Sequence, residues 1–180
     1  MSGMKGGDKL IAHLEGMAKR LKKAETVSAG FLEGATNNSG QSAAMIAAIQ
    51  EYGAPAKGIP PRPFFRNMIK ENKDQWGQML SHFLQVSDMD SANALRLMGE
   101  ELAGEIKQSM TDITEPELSP VSLLLRERFG NNPQDVTFAD VMQARYDIAS
   151  GVEPTVSGTG AKPLIWTGGL QSAINYEVNE

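Results

Sequence analysis

Few residues of this 180-residue chain have the chemistry of a catalyst, and their spacing decides how far each can be taken. His13 and His82 are its two histidines, and each stands alone on a stretch of helical periodicity, with no second ligand three or four residues away. A metal site needs several convergent donors, so both read as structural or surface histidines. A serine nucleophile needs a positioned base. No Gly-x-Ser-x-Gly elbow occurs, and nothing ties His13 or His82 to a serine. Glu100, Glu101 and Glu105 gather around Leu102, a cluster that could suggest a metal or an acid/base pair. With no histidine in the same run, a solvated helix face is the expectation. Gly3 to Gly7 and Gly158-Thr159-Gly160 match neither a phosphate loop nor a dinucleotide fingerprint. No catalytic residue, cofactor or metal ligand is therefore expected.

Residues suited to binding are more distinctive. Lys19, Arg20, Lys22 and Lys23 form a dense basic group that could touch nucleic acid or an acidic partner, although charge at a helix C-terminus accounts for them without a function. The unusual stretch is Tyr52-Gly53 followed by Pro60-Pro61-Arg62-Pro63-Phe64-Phe65-Arg66. Three prolines in four residues fix φ and remove backbone donors, so the segment is neither helix interior nor central strand. It is expected to be a stiff extended connector, with Arg62 and Arg66 presenting cations beside the aromatic pair. Pro60 to Pro63 also fits the proline-x-x-proline pattern of a ligand for an aromatic groove. Phe64 and Phe65 favour the other reading, a brace whose aromatics dock on the core, because such side chains usually become buried.

The elements that must hold these residues follow from periodicity. Residues 1 to 7 are glycine-rich and expected to fray, with Asp8 as an N-cap. Leu10, Leu14, Met17 and Leu21 then mark an amphipathic helix. Glu25 to Glu33 alternates, with Val27, Ala29 and Phe31 on one face, and reads as a strand. Gly34 to Gly40 holds the turn-favouring Asn37-Asn38-Ser39. An alanine-rich helix spans Gln41 to Tyr52, with Gly53 at its exit. After the proline connector, Phe65, Ile69, Trp76, Met79 and Phe83 predict a long helix with one buried face. Ser87-Asp88 marks a break, and Leu95, Met98, Leu102, Ile106, Met110 and Ile113 draw a second long stripe. Ser119-Pro120 opens a short helix to Phe129. Asn131-Asn132-Pro133 is a turn, and Thr137 with Asp140 has the spacing of a capping box for a segment that Gly151 closes. Residues 151 to 162 have loop composition and are expected to be mobile. Thr167-Gly168-Gly169 is a turn before a closing strand in which Ile174, Tyr176 and Val178 alternate with polar residues. Two lone strands are marginal, so they are expected to pair and pack on the long helices. The fold class is α+β: amphipathic helices on a small antiparallel sheet, with long loops.

Composition narrows the function classes. The length fits a single domain over residues 1 to 180. With 41% hydrophobic and 22% charged residues the chain resembles ordinary globular proteins. A net charge of −5 argues against a general nucleic-acid coat or a polybasic membrane binder. The absence of cysteine excludes disulfides and thiolate metal sites. No apolar run approaches the ~20 residues that span a bilayer, and no signal-peptide core follows Lys5, so use without secretion or a membrane is expected.

Two separated motifs then stand in a telling order. Ile49-Gln50-Glu51-Tyr52-Gly53 with Ile59-Pro60-Pro61-Arg62-Pro63-Phe64-Phe65 resembles the tail-completion and virion-morphogenesis proteins of tailed bacteriophages. Gly99, Leu102, Ile106 and Lys107 resemble a helix of that family, and Pro116 to Ser122 its proline-rich turn. Lys162-Pro163-Leu164-Ile165-Trp166-Thr167-Gly168-Gly169-Leu170 with the final strand is similar to its closing segment. The likeness runs from about Glu25 onward, apart from an insertion at residues 126–160. It departs from the usual pattern at Trp166, where the family often has an acid.

The resemblance implies a structural virion protein at the head-to-tail neck, assembled in the host bacterial cytoplasm and free of catalytic residues. It implies a homo-oligomeric ring, six-fold, that meets connector, tail-tube and other neck proteins while DNA passes through without sequence-specific binding. Within assembly the alternative is a tail terminator that caps the tail tube. Outside it stands a monomeric adaptor binding a partner through Pro60 to Pro63. The residues expected to carry structural or interface roles are Tyr52, Gly53, Pro60, Pro61, Arg62, Pro63, Phe64, Phe65, Arg66, Thr167, Gly168 and Leu170.

Overall fold

A computed structural model describes residues 7–22, 24, 26–36, 40–130 and 132–179. Among them run seven helices, α1 (Gly7–Arg20), α2 (Ala43–Tyr52), α3 (Phe64–Val86), α4 (Ser91–Asp112), α5 (Pro120–Phe129), α6 (Phe138–Ala149) and α7 (Gly169–Ser172), with two strands, β1 (Thr26–Gly30) and β2 (Asn175–Asn179). The fold is α+β, mostly helical with one small antiparallel sheet. Its contacts cluster in two compact units.

The first unit takes the described residues up to Gly30, Ile69–Gly104 and the closing strand. β1 and β2 pair antiparallel in the register Val27↔Val178 and Ala29↔Tyr176, so the apolar faces of the two strands coincide. Val27 and Val178 pack with Leu80 on a core of Ala24, Ala92 and Leu95. Tyr176 lies so close to Gly99 that a Cβ there would stand 2.3 Å from its ring. Its hydroxyl donates to Glu100, and burial together with that carboxylate pushes its pKa up. The break between the long helices is built from Asp88 and Met89 at positive φ and from Asp90, whose carboxylate accepts from the backbone N–H of Ala92. Ser91 is buried and joins the end of α1 to α4, accepting from Ala24 N–H and donating to the Arg20 carbonyl.

The second unit spans Phe31–Met68 and Glu105–Ile174. Phe64, Ile106 and Met110 are its most deeply buried large side chains. α5 and α6 share a cluster of Leu124, Leu125 and Ala144 with Val141, Ile148 and Trp166 packed against it. Both are capped as their sequences require: Ser119 accepts from Ser122 N–H with Pro120 in the first turn, and Thr137 and Asp140 complete a capping box.

Several expectations shift. α1 already begins at Gly7, so Asp8 lies in its first turn rather than at the cap. β1 stops at Gly30, and Phe31 leaves the strand to meet the Phe64 ring edge-on at 6.3 Å. Residues 151–162 are more structured than their composition suggests: Thr155 donates twice to Glu127, and Gly158–Ala161 forms a 3-10 turn. The face of α3 expected to be buried is only half-covered at Ile69, Trp76, Met79 and Phe83. Residues 1–6, Lys23, Glu25, Asn37-Asn38-Ser39 and Asn131 lie outside the described residues.

Candidate functional site

The proline connector is held at both ends by the tail of α2. Gly53 exits that helix at φ 75° and ψ 175°, a backbone region essentially restricted to glycine. A Cβ there would lie 2.8 Å from both the Ile59 carbonyl oxygen and the Pro61 nitrogen. The chain then makes a small loop closed by reciprocal Ala54–Ile59 backbone bonds of 2.8 and 3.1 Å. Arg62 N–H donates to the Gln50 carbonyl at 2.7 Å, returning the connector to α2.

Glu51 is the hinge of the arrangement. It is buried in the last turn of α2, where an acid opposes the helix dipole, yet it serves the start of α3. One carboxylate oxygen accepts from Phe65 N–H at 2.9 Å. The other accepts from Arg66 N–H at 3.2 Å and Arg66 Nε at 2.8 Å. Arg66 also donates to the Glu51 carbonyl and lies 5.1 Å from the centre of the Tyr52 ring. A single side chain thus supplies the anion that the positive end of α3 favours and fixes the direction in which that helix leaves the connector.

Arg62 is not the displayed cation its setting suggested. It is buried, donating from Nε to the Pro116 carbonyl, from Nη2 to the Glu117 carbonyl and from Nη1 to the Gln50 side chain. Burial lowers its pKa. Of the two arginines flanking the aromatic pair, only Arg66 keeps substantial exposure. Phe64 is almost fully buried, edge-on to Phe31 and Phe65, and its carbonyl accepts from Ser109 Oγ at 2.7 Å. Phe65 is half-buried. Pro61 is exposed, while Pro60 and Pro63 are half-covered.

The closing motif is gathered by a second buried arginine. Arg126, on α5, donates from Nη1 to the carbonyls of Gly160, Lys162 and Ile165 at 2.6–2.8 Å and from Nη2 to that of Pro163. Trp166 stacks over its guanidinium at 5.5 Å and donates its indole N–H to the Gly130 carbonyl. Burial, and then the proximity of Arg62, lower the Arg126 pKa to about 10. Gly168 at φ 73° is the entry to α7, and Thr167 Oγ1 accepts from Gly169 N–H. Gln171 and Lys162 tie the segment to the end of α4 through Thr111. Leu170 is half-buried.

The structure therefore brings the sequence-predicted residues into one unit. A groove of about 480 Å³ is lined by Pro60 and Arg62 of the connector, by Glu117 and Ser119 of the proline-rich turn, and by Pro163 and Trp166 of the closing motif. Thr167, Gly168 and Leu170 line a neighbouring hollow of about 290 Å³ with Gln50 and Arg126. Sequence reading missed Glu51 and Arg126. An acid in the final turn of a helix was the available signal for the first; an arginine directly after Leu123-Leu124-Leu125 was the signal for the second. Among the described residues no group of three His, Asp or Glu side chains could hold a metal ion, and no helix is long and apolar enough to cross a membrane. The buried guanidinium groups of Arg62 and Arg126 hold the loops of this unit through backbone carbonyls. No protein-family model matches the chain, and searches against curated proteins and solved structures return no match.

Proposed function

We propose that the protein is a structural subunit of a tailed-phage neck, forming a ring that completes the tail and joins it to the head connector. One observation supports the reading above others. The connector, the Pro116 turn and the closing motif, which carry the resemblance and are spread over more than a hundred residues of chain, meet in one unit around the two buried guanidinium groups of Arg62 and Arg126. Such a centre suits a part that must keep its outline while neighbours dock on it, since four carbonyls on one rigid guanidinium fork tie the loop to α5 by charge-assisted hydrogen bonds.

The connector is a brace in this reading. A displayed polyproline ligand needs free flanking side chains, whereas Arg62 and Phe64 are committed to the interior. Arg62→Ala and Phe64→Ala are expected to lower thermal stability, measured by circular dichroism; retention of stability with loss of a partner would contradict the brace. The role itself is tested on particles made without the gene. Filled heads and unjoined tails of normal length are expected in negative stain, and overlong tails would instead assign the terminator role.

A further inference from the structure

Arg62 and Arg126 are 5% and 8% exposed, and both line the groove of about 480 Å³ beside the connector. Their bonds within the protein leave donors over. Arg62 gives one N–H from each guanidinium nitrogen, so Nη1 and Nη2 each keep a second hydrogen. Arg126 donates from Nη1 and Nη2, while its Nε–H meets no acceptor among the described residues. Every enclosed side-chain nitrogen or oxygen of the described residues has a partner, so this N–H is within reach of solvent. The charge is likewise unanswered. Among the described residues neither guanidinium has a carboxylate within ion-pair distance, and the two cations stand close enough for Arg62 to help lower the Arg126 pKa. Glu117 also lines the groove, but it meets Arg62 through its backbone carbonyl. A cation held out of water with no anion beside it is costly, and a second cation nearby adds to the cost.

We propose that this groove docks an acidic peptide segment of a partner protein, with an Asp or Glu carboxylate set against the two guanidinium groups. The donors left over suit a carboxylate, whose two oxygens accept paired hydrogen bonds from planar guanidinium edges. Ser119 and Ser122 add to them. Their hydroxyl oxygens lie 3.0 Å apart at the groove, and whichever of the two accepts keeps its own hydrogen for a ligand. Pro60, Leu118 and Trp166, each half-buried, supply apolar wall, which suits the flanks of a peptide better than a hydrated inorganic ion. The groove has the size of a ligand site rather than of a lone ion. Net charge excludes the larger anions: a chain at −5 repels a polyphosphate backbone, whereas one carboxylate among apolar neighbours meets little of that repulsion. All the lining residues belong to the second unit, so the groove is complete within it. It takes such a segment whether or not the chain works in a virion neck.

The test titrates the capped tripeptide acetyl-Leu-Glu-Leu-amide into the full-length protein, labelled with nitrogen-15, and follows amide, arginine Nε–H and indole resonances by NMR. Saturable shifts are expected at the Arg126 Nε–H and the Trp166 indole. The same peptide with Gln in place of Glu is expected to bind about ten-fold more weakly, the worth of one charge-assisted hydrogen bond. Equal affinity for the two peptides, absence of saturation, or shifts that leave both Arg126 and Trp166 unmoved would overturn the proposal. Tighter binding of inorganic phosphate than of the Glu peptide would also overturn it, and would mark a phosphate site instead. Arg62→Lys keeps the charge and loses the planar fork. With its circular dichroism spectrum unchanged, this variant is expected to lose affinity for the Glu peptide and to bind the Gln peptide as before; an equal loss for both would overturn the guanidinium–carboxylate contact. The peptide comparison uses the unaltered chain, so it holds whatever the variant does to folding. Neither measurement needs a virion, so failure here is separate from failure of the neck reading.

Discussion

The side chains that matter most in this molecule are charged ones that face inward. Arg126 holds four backbone carbonyls, and removing it takes the guanidinium donor from all of them, leaving only that of Lys162 with the Ile165 N–H. Arg126→Met, which keeps much of the packing, is expected to cost about 3 kcal/mol or more in chemical denaturation, and the closing motif is expected to lose hydrogen-exchange protection first. Glu51→Gln keeps the shape but removes the anion from the start of α3, with an expected loss of about 2 kcal/mol. Gly53 and Gly58 make a matched pair. Both have positive φ, but a Cβ on Gly53 meets backbone at 2.8 Å, whereas Gly58 opens on free space in a left-handed conformation that asparagine tolerates. Gly53→Ala is therefore expected to lower Tm far more than Gly58→Asn. These inward charges were the least legible part of the sequence. An arginine whose partners are carbonyls at residues 160–165 leaves no pattern in its own neighbourhood, since every residue has a carbonyl and only the fold says which ones converge. The prolines and Phe64 could be read, because ring geometry and apolar bulk act locally.

Elements were legible where a local rule governs them. The capping box at Thr137, the proline-led start of α5 and the matching faces of β1 and β2 all follow from spacing alone, and each is present. Exposure was not legible: the stripe of α1 has the period of a packed helix and is open, because periodicity defines a face without saying what covers it. The α5–α6 region also predicts how acid acts. Arg128 and then Gln143 hold the Asp147 carboxyl below its ordinary value of 3.8, and the Thr137 hydroxyl and N–H do the same for Asp140. Thr155 N–H and hydroxyl hold Glu127 below its ordinary 4.5. With folded pKa values depressed, the unfolded chain binds more protons in this range. The stability these groups contribute is complete above the unfolded values and is lost as pH falls through the lower folded ones. Acid titration followed by circular dichroism is expected to show stability declining below about pH 4.5, and Asp147→Asn to flatten part of that slope.

The neck reading proposed above belongs to the scale of the whole molecule. The residues that gave the sequence its character are used to stiffen one unit, and most of the large apolar side chains left exposed among the described residues lie on helices. On the neck reading, a net charge of −5 leaves little to hold phosphates, which suits a lumen through which DNA slides. The most direct measurement is native mass spectrometry of neck complexes released from purified virions. The neck reading predicts this chain in several equal copies, cross-linked to itself and to connector or tail proteins; its absence from the neck fraction, or its presence as a single unlinked copy, would contradict it.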